Sequence, residues 1–248
     1  MRFFYLILPL LILSTDVFSQ SNVSTISQNQ IARIEARGIP AVKRVLKELR
    51  IDINNPLDLK RFVVSVIESQ VNETSSGEAI SAISSNITTA IIDVAFRANL
   101  DVTEIAQITA SGITDGAVQA AVAADFDVPA VVEAASAGSL TGAISSAVKA
   151  AKKAITIAKA SSSGCSSGAV LAAYAAKIDV ATVAEATSAG SAEGTIEAAV
   201  IANIDVLPVA AAASSGSSIG AVEGAILAGD INYDGIVNFK DYLEIVEA

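Results

Sequence analysis

Histidine and tryptophan are absent from the 248 residues, and cysteine occurs once, as Cys165. Without histidine there is no Ser-His-Asp or Cys-His catalytic set and no histidine-ligated metal. A lone thiol excludes an intramolecular disulfide framework. Cys165 then has two readings: a small residue replacing serine in a turn, or one half of an intermolecular disulfide. Aromatic residues make up only 4% of a chain that is 52% hydrophobic, so its core must be built from Ala, Val and Ile. Basic side chains are also scarce, 16 against 26 acidic, for a net charge of −10. A nucleic-acid partner is therefore not expected, because phosphate charge is offset by Lys and Arg. The deficit is local: residues 20–78 hold eight basic and seven acidic side chains, whereas residues 79–248 hold seven and eighteen.

The chain starts with "MR", then the short apolar run "FFYLILPLLIL", then small residues in "VFS" before Gln20. This order predicts an export signal over residues 1–19. The apolar run falls short of the ~20 residues that cross a bilayer. Later apolar runs are each interrupted by Asp, Lys or Gly. The expectation is a secreted protein, extracellular or at the cell surface, with no membrane span in the mature chain. Asn22, Asn72 and Asn86 match the N-glycosylation pattern, which matters only in a eukaryotic source.

Glycines recur at 116, 142, 168, 194 and 220, and again at 112, 138, 164, 190 and 216, each 26 after the last. Around them run "GAVQAAVAADFDV", "GAVLAAYAAKIDV" and "GTIEAAVIANIDV". Periods of this size mean stacked supersecondary units. Alanine is the best helix former, so the units read as helical. The columns Asp101, Asp127, Asp179 and Asp205 read as helix N-caps, with Pro129 and Pro208 inside the first turn. The Ser-Gly columns read as helix C-caps, with Asn86 substituting for glycine in the earliest copy. The fold expected is all-α: an α-solenoid of 26-residue helix-turn-helix repeats over residues 86–229, each repeat carrying two helices of roughly ten residues. Residues 20–85 read as a charged helical cap, broken at Gly38-Ile39-Pro40 and resuming at Pro56. A partner-binding role for this segment is the other option.

Residues 142–167 concentrate Lys149, Lys152, Lys153 and Lys159. Lys153 stands in the aspartate column between Asp127 and Asp179, and Lys159 between Glu133 and Glu185. Stacked repeats would then place cations between layers of carboxylates. The alternative is a basic patch for an anionic polysaccharide. Carboxylates such as Asp125 and Asp127 give no sign of the defined separation a glycosidase needs, so no catalytic residues are assigned.

The carboxyl end reads "GDINYDGIVNFKDYLEIVEA". A helix-loop-helix calcium site draws its ligands from loop positions 1, 3, 5, 7, 9 and 12, with glycine at 6. Counted from Asp230, these are Asp230, Asn232, Asp234, the Ile236 carbonyl, Asn238 and Asp241, with Gly235 at the turn. The expected metal is Ca2+, bound by hard oxygens within residues 230–248. "GDINYDGIVNFKD", with Asp at position 12, resembles a single type I dockerin segment, an EF-hand-like calcium repeat. That resemblance covers about twenty residues of the 248. It implies docking to a cohesin-type module within an extracellular polysaccharide-degrading assembly. A complete dockerin has two such segments, and the positions that guide partner choice are Phe239 and Lys240 here rather than small hydroxyl residues.

The function expected is a secreted, non-enzymatic helical-repeat scaffold or adhesion protein that binds an extracellular protein or glycan. Its calcium loop would close the open end of the stack. The alternative is a dockerin-like component of a cohesin-organised assembly.

Overall fold

The computed structural model describes residues 26–71, 76–151 and 153–229, and among these all regular structure is helical. Nine helices follow one another: α1 (Gln28–Arg37), α2 (Ile39–Glu48), α3 (Pro56–Val71), α4 (Gly77–Ala98), α5 (Val102–Ala123), α6 (Val128–Lys149), α7 (Ala154–Ala175), α8 (Val180–Ile201) and α9 (Val206–Gly229). The expected breaks at the amino-terminal end are present. Gly38 sits at φ +54° between α1 and α2, Pro40 lies in the first turn of α2, and Pro56 opens α3.

Helices α5 to α9 begin 26 residues apart, but each period lacks the two short helices expected. Each period holds one helix of 22 residues, α4 to α8, and a connection of three residues after α4 and four after the others. The Ser-Gly columns are not C-caps. Gly138 and Gly142 lie in the middle of α6, and Gly190 and Gly194 in the middle of α8. Asn86 likewise lies inside α4.

The turn occupies a different column. Asn99, Asp125, Ala151, Lys177 and Asn203 all have φ between 53° and 57°, each 26 residues after the last. After this left-handed residue comes an apolar one whose amide reaches back five positions. Leu100 donates to Ala95 O at 3.1 Å, Phe126 to Ala121 O at 2.9 Å, Ile178 to Ala173 O at 3.1 Å and Ile204 to Ala199 O at 3.0 Å. That pattern satisfies carbonyls left unpaired at a helix end. The next helix starts at once on its aspartate cap, as expected. The Asp101 carboxylate accepts from the Thr103 amide at 3.0 Å, Asp179 from Ala181 at 3.0 Å and Asp205 from Leu207 at 3.2 Å.

Connections this short make consecutive helices antiparallel, so alternate helices run the same way. The main packing is between alternate helices: α3, α5, α7 and α9 form one row, and α2, α4, α6 and α8 the other. Hydrogen bonds between alternate helices of a row fix the register. Thr114 Oγ1 donates to the Cys165 carbonyl at 2.8 Å, and the hydroxyls of Ser166 and Ser217 lie 2.7 Å apart. Both pairs are separated by 51 positions. The packing neighbour of a residue is thus about two periods away in the chain.

The glycines explain themselves at these contacts. A Cβ on Gly142 would stand 2.5 Å from the Ser85 carbonyl oxygen, and one on Gly138, Gly164, Gly190, Gly194, Gly216 or Gly220 would be closer still to a backbone oxygen of the helix two before. The columns exist to remove side-chain bulk, so that backbone meets backbone. Buried hydroxyls along the same faces are partly satisfied by their own helix: Thr187 donates to Val183 O at 2.7 Å.

At the amino-terminal end α2 and α3 continue the two rows and tie to them by ion pairs. Lys43 meets Asp93 at 2.7 Å and Lys60 meets Asp115 at 2.8 Å, all four partly buried. By length and composition α4 and α6 would reach across a bilayer, although 72% of the most apolar stretch of α6 is buried within the protein.

Candidate functional site

The loop from Asp230 to Asp241, with all six expected calcium ligands, lies outside the described residues, as do the export segment 1–19, Asn22, Asn72 and Lys152. The structure does show what leads to the loop. Helix α9 runs through Gly229, so Asp230 follows the last described turn directly. Among the described residues no group of three or more His, Cys, Asp or Glu side chains converges as a metal site.

Cys165 is fully buried, in the middle of α7, so it is neither in a turn nor placed to form an intermolecular disulfide. Desolvation drives its thiol up to about 12, opposed only by the hydroxyls of Ser139 and Ser191 beside it. It belongs to a column of small residues and is chemically quiet at neutral pH.

The lysines are also placed differently from the expected ladder. Residues 26 apart sit on neighbouring antiparallel helices, and the true stacking partners are 52 apart. Lys153, at the N-cap of α7, therefore stands in the row between Asp101 and Asp205, not between Asp127 and Asp179. It lines a cavity of about 320 Å³ together with Asp101, Phe96 and Ile157. Its side chain makes no cap hydrogen bond, unlike the aspartates of the same column. Lys159 falls in the row between Gln107 and Ala211 rather than between two glutamates. Its backbone carbonyl is the group that Gly216 packs against.

Asp125 and Asp127 are both occupied by the turn. Asp125 holds the left-handed position, and the Asp127 carboxylate accepts from the Ala130 amide at 3.3 Å.

One concave surface was not anticipated. A groove of about 720 Å³ runs across the carboxyl-terminal ends of α5, α7 and α9, between Val122, Leu171, Tyr174 and Leu227. This volume lies within the range of small-ligand sites, ~300–1,000 Å³. Tyr174 is 53% exposed and gives the groove an aromatic wall. Asp115 and Gln119 supply polar groups, joined at 2.6 Å, and Asp115 is further held by Lys60. Nearby, burial pushes the Glu68 carboxyl up, and the Asp115 charge adds to the shift. The signal in the sequence was Tyr174 itself, the one aromatic residue between Phe126 and Tyr233. Its column also holds Val122 and Ile226, and without the 52-residue register these do not line up. Compared with protein-family models and with curated proteins, the chain matches none.

Proposed function

We propose that the protein is a secreted, non-enzymatic scaffold of the α-solenoid type, which uses its lateral surface to bind an extracellular protein or glycan and carries a structural calcium site at Asp230, Asn232, Asp234, Ile236, Asn238 and Asp241. The observation that carries the binding reading is the groove beside Tyr174. Stacked parallel helices make an extended rigid surface, and an exposed aromatic ring beside a carboxylate and an amide is chemistry suited to a sugar or peptide. The calcium reading is carried by the match of all six ligand positions between 230 and 241 to oxygen-ligand chemistry, with glycine at the turn. Secretion is carried by residues 1–19.

Two measurements test these readings. In a screen of the mature protein against glycans and extracellular proteins, the expected result is a ligand whose affinity falls at least tenfold in Tyr174→Ala. No ligand, or one indifferent to that change, removes the binding reading. For the metal, thermal melting in calcium and in chelator is compared for wild type and Asp234→Ala. Free calcium at tenfold above Kd stabilises by roughly 1.4 kcal/mol, so wild type should melt higher with calcium and the variant should not.

The dockerin-like segment favours a second reading, in which the same loop docks to a cohesin-type module. A calcium-dependent pull-down with cohesin modules separates the two: capture supports docking, and its absence leaves calcium with a structural role.

A further inference from the structure

The two rows have a front and a back. Thr114 on α5 reaches forward to α7, and Ser166 on α7 reaches forward to α9. The column to which they belong is Thr88, Thr114, Leu140 and Ser166, and all four are completely buried under the helix two ahead. Its next two members, Ala192 and Ser218, are exposed. A second column behaves the same way. Ile92, Val118, Ile144 and Val170 are 0–2% exposed, whereas Ile196 is 46% and Val222 59% exposed. Val200, Leu207 and Ile226 add to the same end, at 63%, 79% and 47%. In the Ile196 and Val222 column the side chains are those of an interior contact and only the covering helix differs, whereas the columns of Val200, Leu207 and Ile226 are already exposed at Val122, Ile155 and Tyr174. Among the described residues, helices α8 and α9 thus present an unpartnered apolar face of the kind that marks an interaction site.

We propose that the occupant of this face is the chain's own segment 239–248, seated on α8 and the side of α9, with calcium at the preceding loop promoting the docking. This rests on the calcium site proposed above. Phe239, Tyr242, Leu243 and Val246 fall at i, i+3, i+4 and i+7, the spacing of one apolar helical stripe, with Asp241, Glu244 and Glu247 off it. The segment is tethered close to the end of α9, and a short tether gives an effective concentration in the millimolar range. Glycines are not required at the next members of the packing columns, Asn238, Tyr242 and Val246, because a docking helix bearing large side chains fills a face that is open.

The short tether, more than charge, selects this occupant over a second copy. Between Lys177 and Gly229 there is no basic residue, and Glu185, Glu193, Glu197 and Glu223 fringe the exposed face. Two copies meeting there would oppose like charges. The tail is also acidic, with five carboxylates and one lysine over residues 230–248. A bound Ca2+ cancels two of those charges and fixes the direction in which the chain turns back. Docking and calcium binding are therefore linked.

The experiment uses the full mature chain. Calcium binding is followed by calorimetry, and coverage of the face by amide hydrogen exchange in α8 and α9 together with binding of an apolar dye. The expected result is at least tenfold slower exchange in α8 with calcium and a fall in dye fluorescence. Leu243→Asp/Val246→Asp, which leaves every loop ligand in place, should still bind calcium but lose both effects. Calcium binding in wild type with no change in exchange overturns the docking while leaving the metal site intact. If no calcium binds, the metal site falls, and docking is judged by the same comparison without metal: equal exchange in wild type and double variant overturns it. Protection that disappears on dilution, with a dimer in sedimentation, assigns the face to a second copy and also overturns it.

Discussion

At the scale of single residues, two periodic columns carry opposite lessons about glycine. The left-handed position, where glycine costs nothing sterically, is filled by Asn99, Asp125, Ala151, Lys177 and Asn203. The glycines stand inside helices, where each sacrifices about 1 kcal/mol of helix propensity relative to alanine. That sacrifice is outweighed by contact with the helix two before. A Cβ on Gly164 would press into the Gln107 carbonyl, whereas one on Gly77 would meet only the Ala134 methyl at an ordinary 3.6 Å. Overpacking costs typically 1–3 kcal/mol, and more when backbone cannot yield. Gly164→Ala should therefore lower stability by about 2 kcal/mol despite its better propensity, and Gly77→Ala should change it by less than about 0.5 kcal/mol. Urea melts of the two variants read this directly, and equal effects would mean that alternate helices of a row are not in backbone contact.

At the scale of the helix and its turn, the unit most unlike the others is the one entering α7. Ala151 holds the left-handed position without an amide or carboxylate to favour it, and Lys153 replaces the aspartate cap. Left-handed backbone costs an L-residue roughly 1–2 kcal/mol. After the larger unfolded-state entropy of glycine is allowed for, Ala151→Gly should stabilise by about 0.5–1 kcal/mol in chemical denaturation. Lys153→Asp should recover a cap worth about 1 kcal/mol, reduced by the new carboxylate standing in line with Asp101 and Asp205. Asp179 offers a pH test. Hydrogen bonds from Thr182 and then from the Ala181 amide hold its carboxyl below the ordinary range. A depressed folded-state value means stability that is present above about pH 4 and lost as pH falls through the lower value. Asp179→Asn keeps a good cap but cannot titrate. Its melting temperature should fall less than that of wild type between pH 5 and pH 3.

The aspartate caps were legible in the sequence because a cap is a local device, made by one side chain and the next two or three amides. The period was legible too, and so was the helical content. The length of each helix was not. Glycine followed by serine reads as a stop when only neighbours in sequence are considered, and the carbonyl that requires Gly190, on Glu133, lies 57 residues earlier. The groove at Tyr174 was hidden for the same reason, since Val122 and Leu227 come to it from other helices of the row.

At the scale of the whole molecule, each helix of a row leans on the one two before and the one two after, with weaker contacts across to the other row. Stability in such a stack is a sum over interfaces, and a defect acts where it sits. Gly138 joins α6 to α4 near the amino-terminal third, while Gly190 joins α8 to α6 near the carboxyl end, and both would drive a Cβ into backbone. The local insult is the same, so the difference between the variants reports position alone. A methyl at Gly190 loosens α8 and, through it, the end already left uncovered at Ile196 and Val222. The helices from α2 to α5 keep all their neighbours, and α6 loses only α8. A methyl at Gly138 instead separates α4 and α2 from everything that follows in their row. The slope of a denaturant transition scales with the surface exposed in it. Gly190→Ala should give an early, shallow phase confined to α8 and α9, with the main transition little moved. Gly138→Ala should shift the main transition itself. Hydrogen exchange at the foot of the first phase identifies the helices involved. Fast exchange throughout the molecule in both variants would mean that the stack melts as one cooperative body, and the description of stability as separable interfaces would have to be given up.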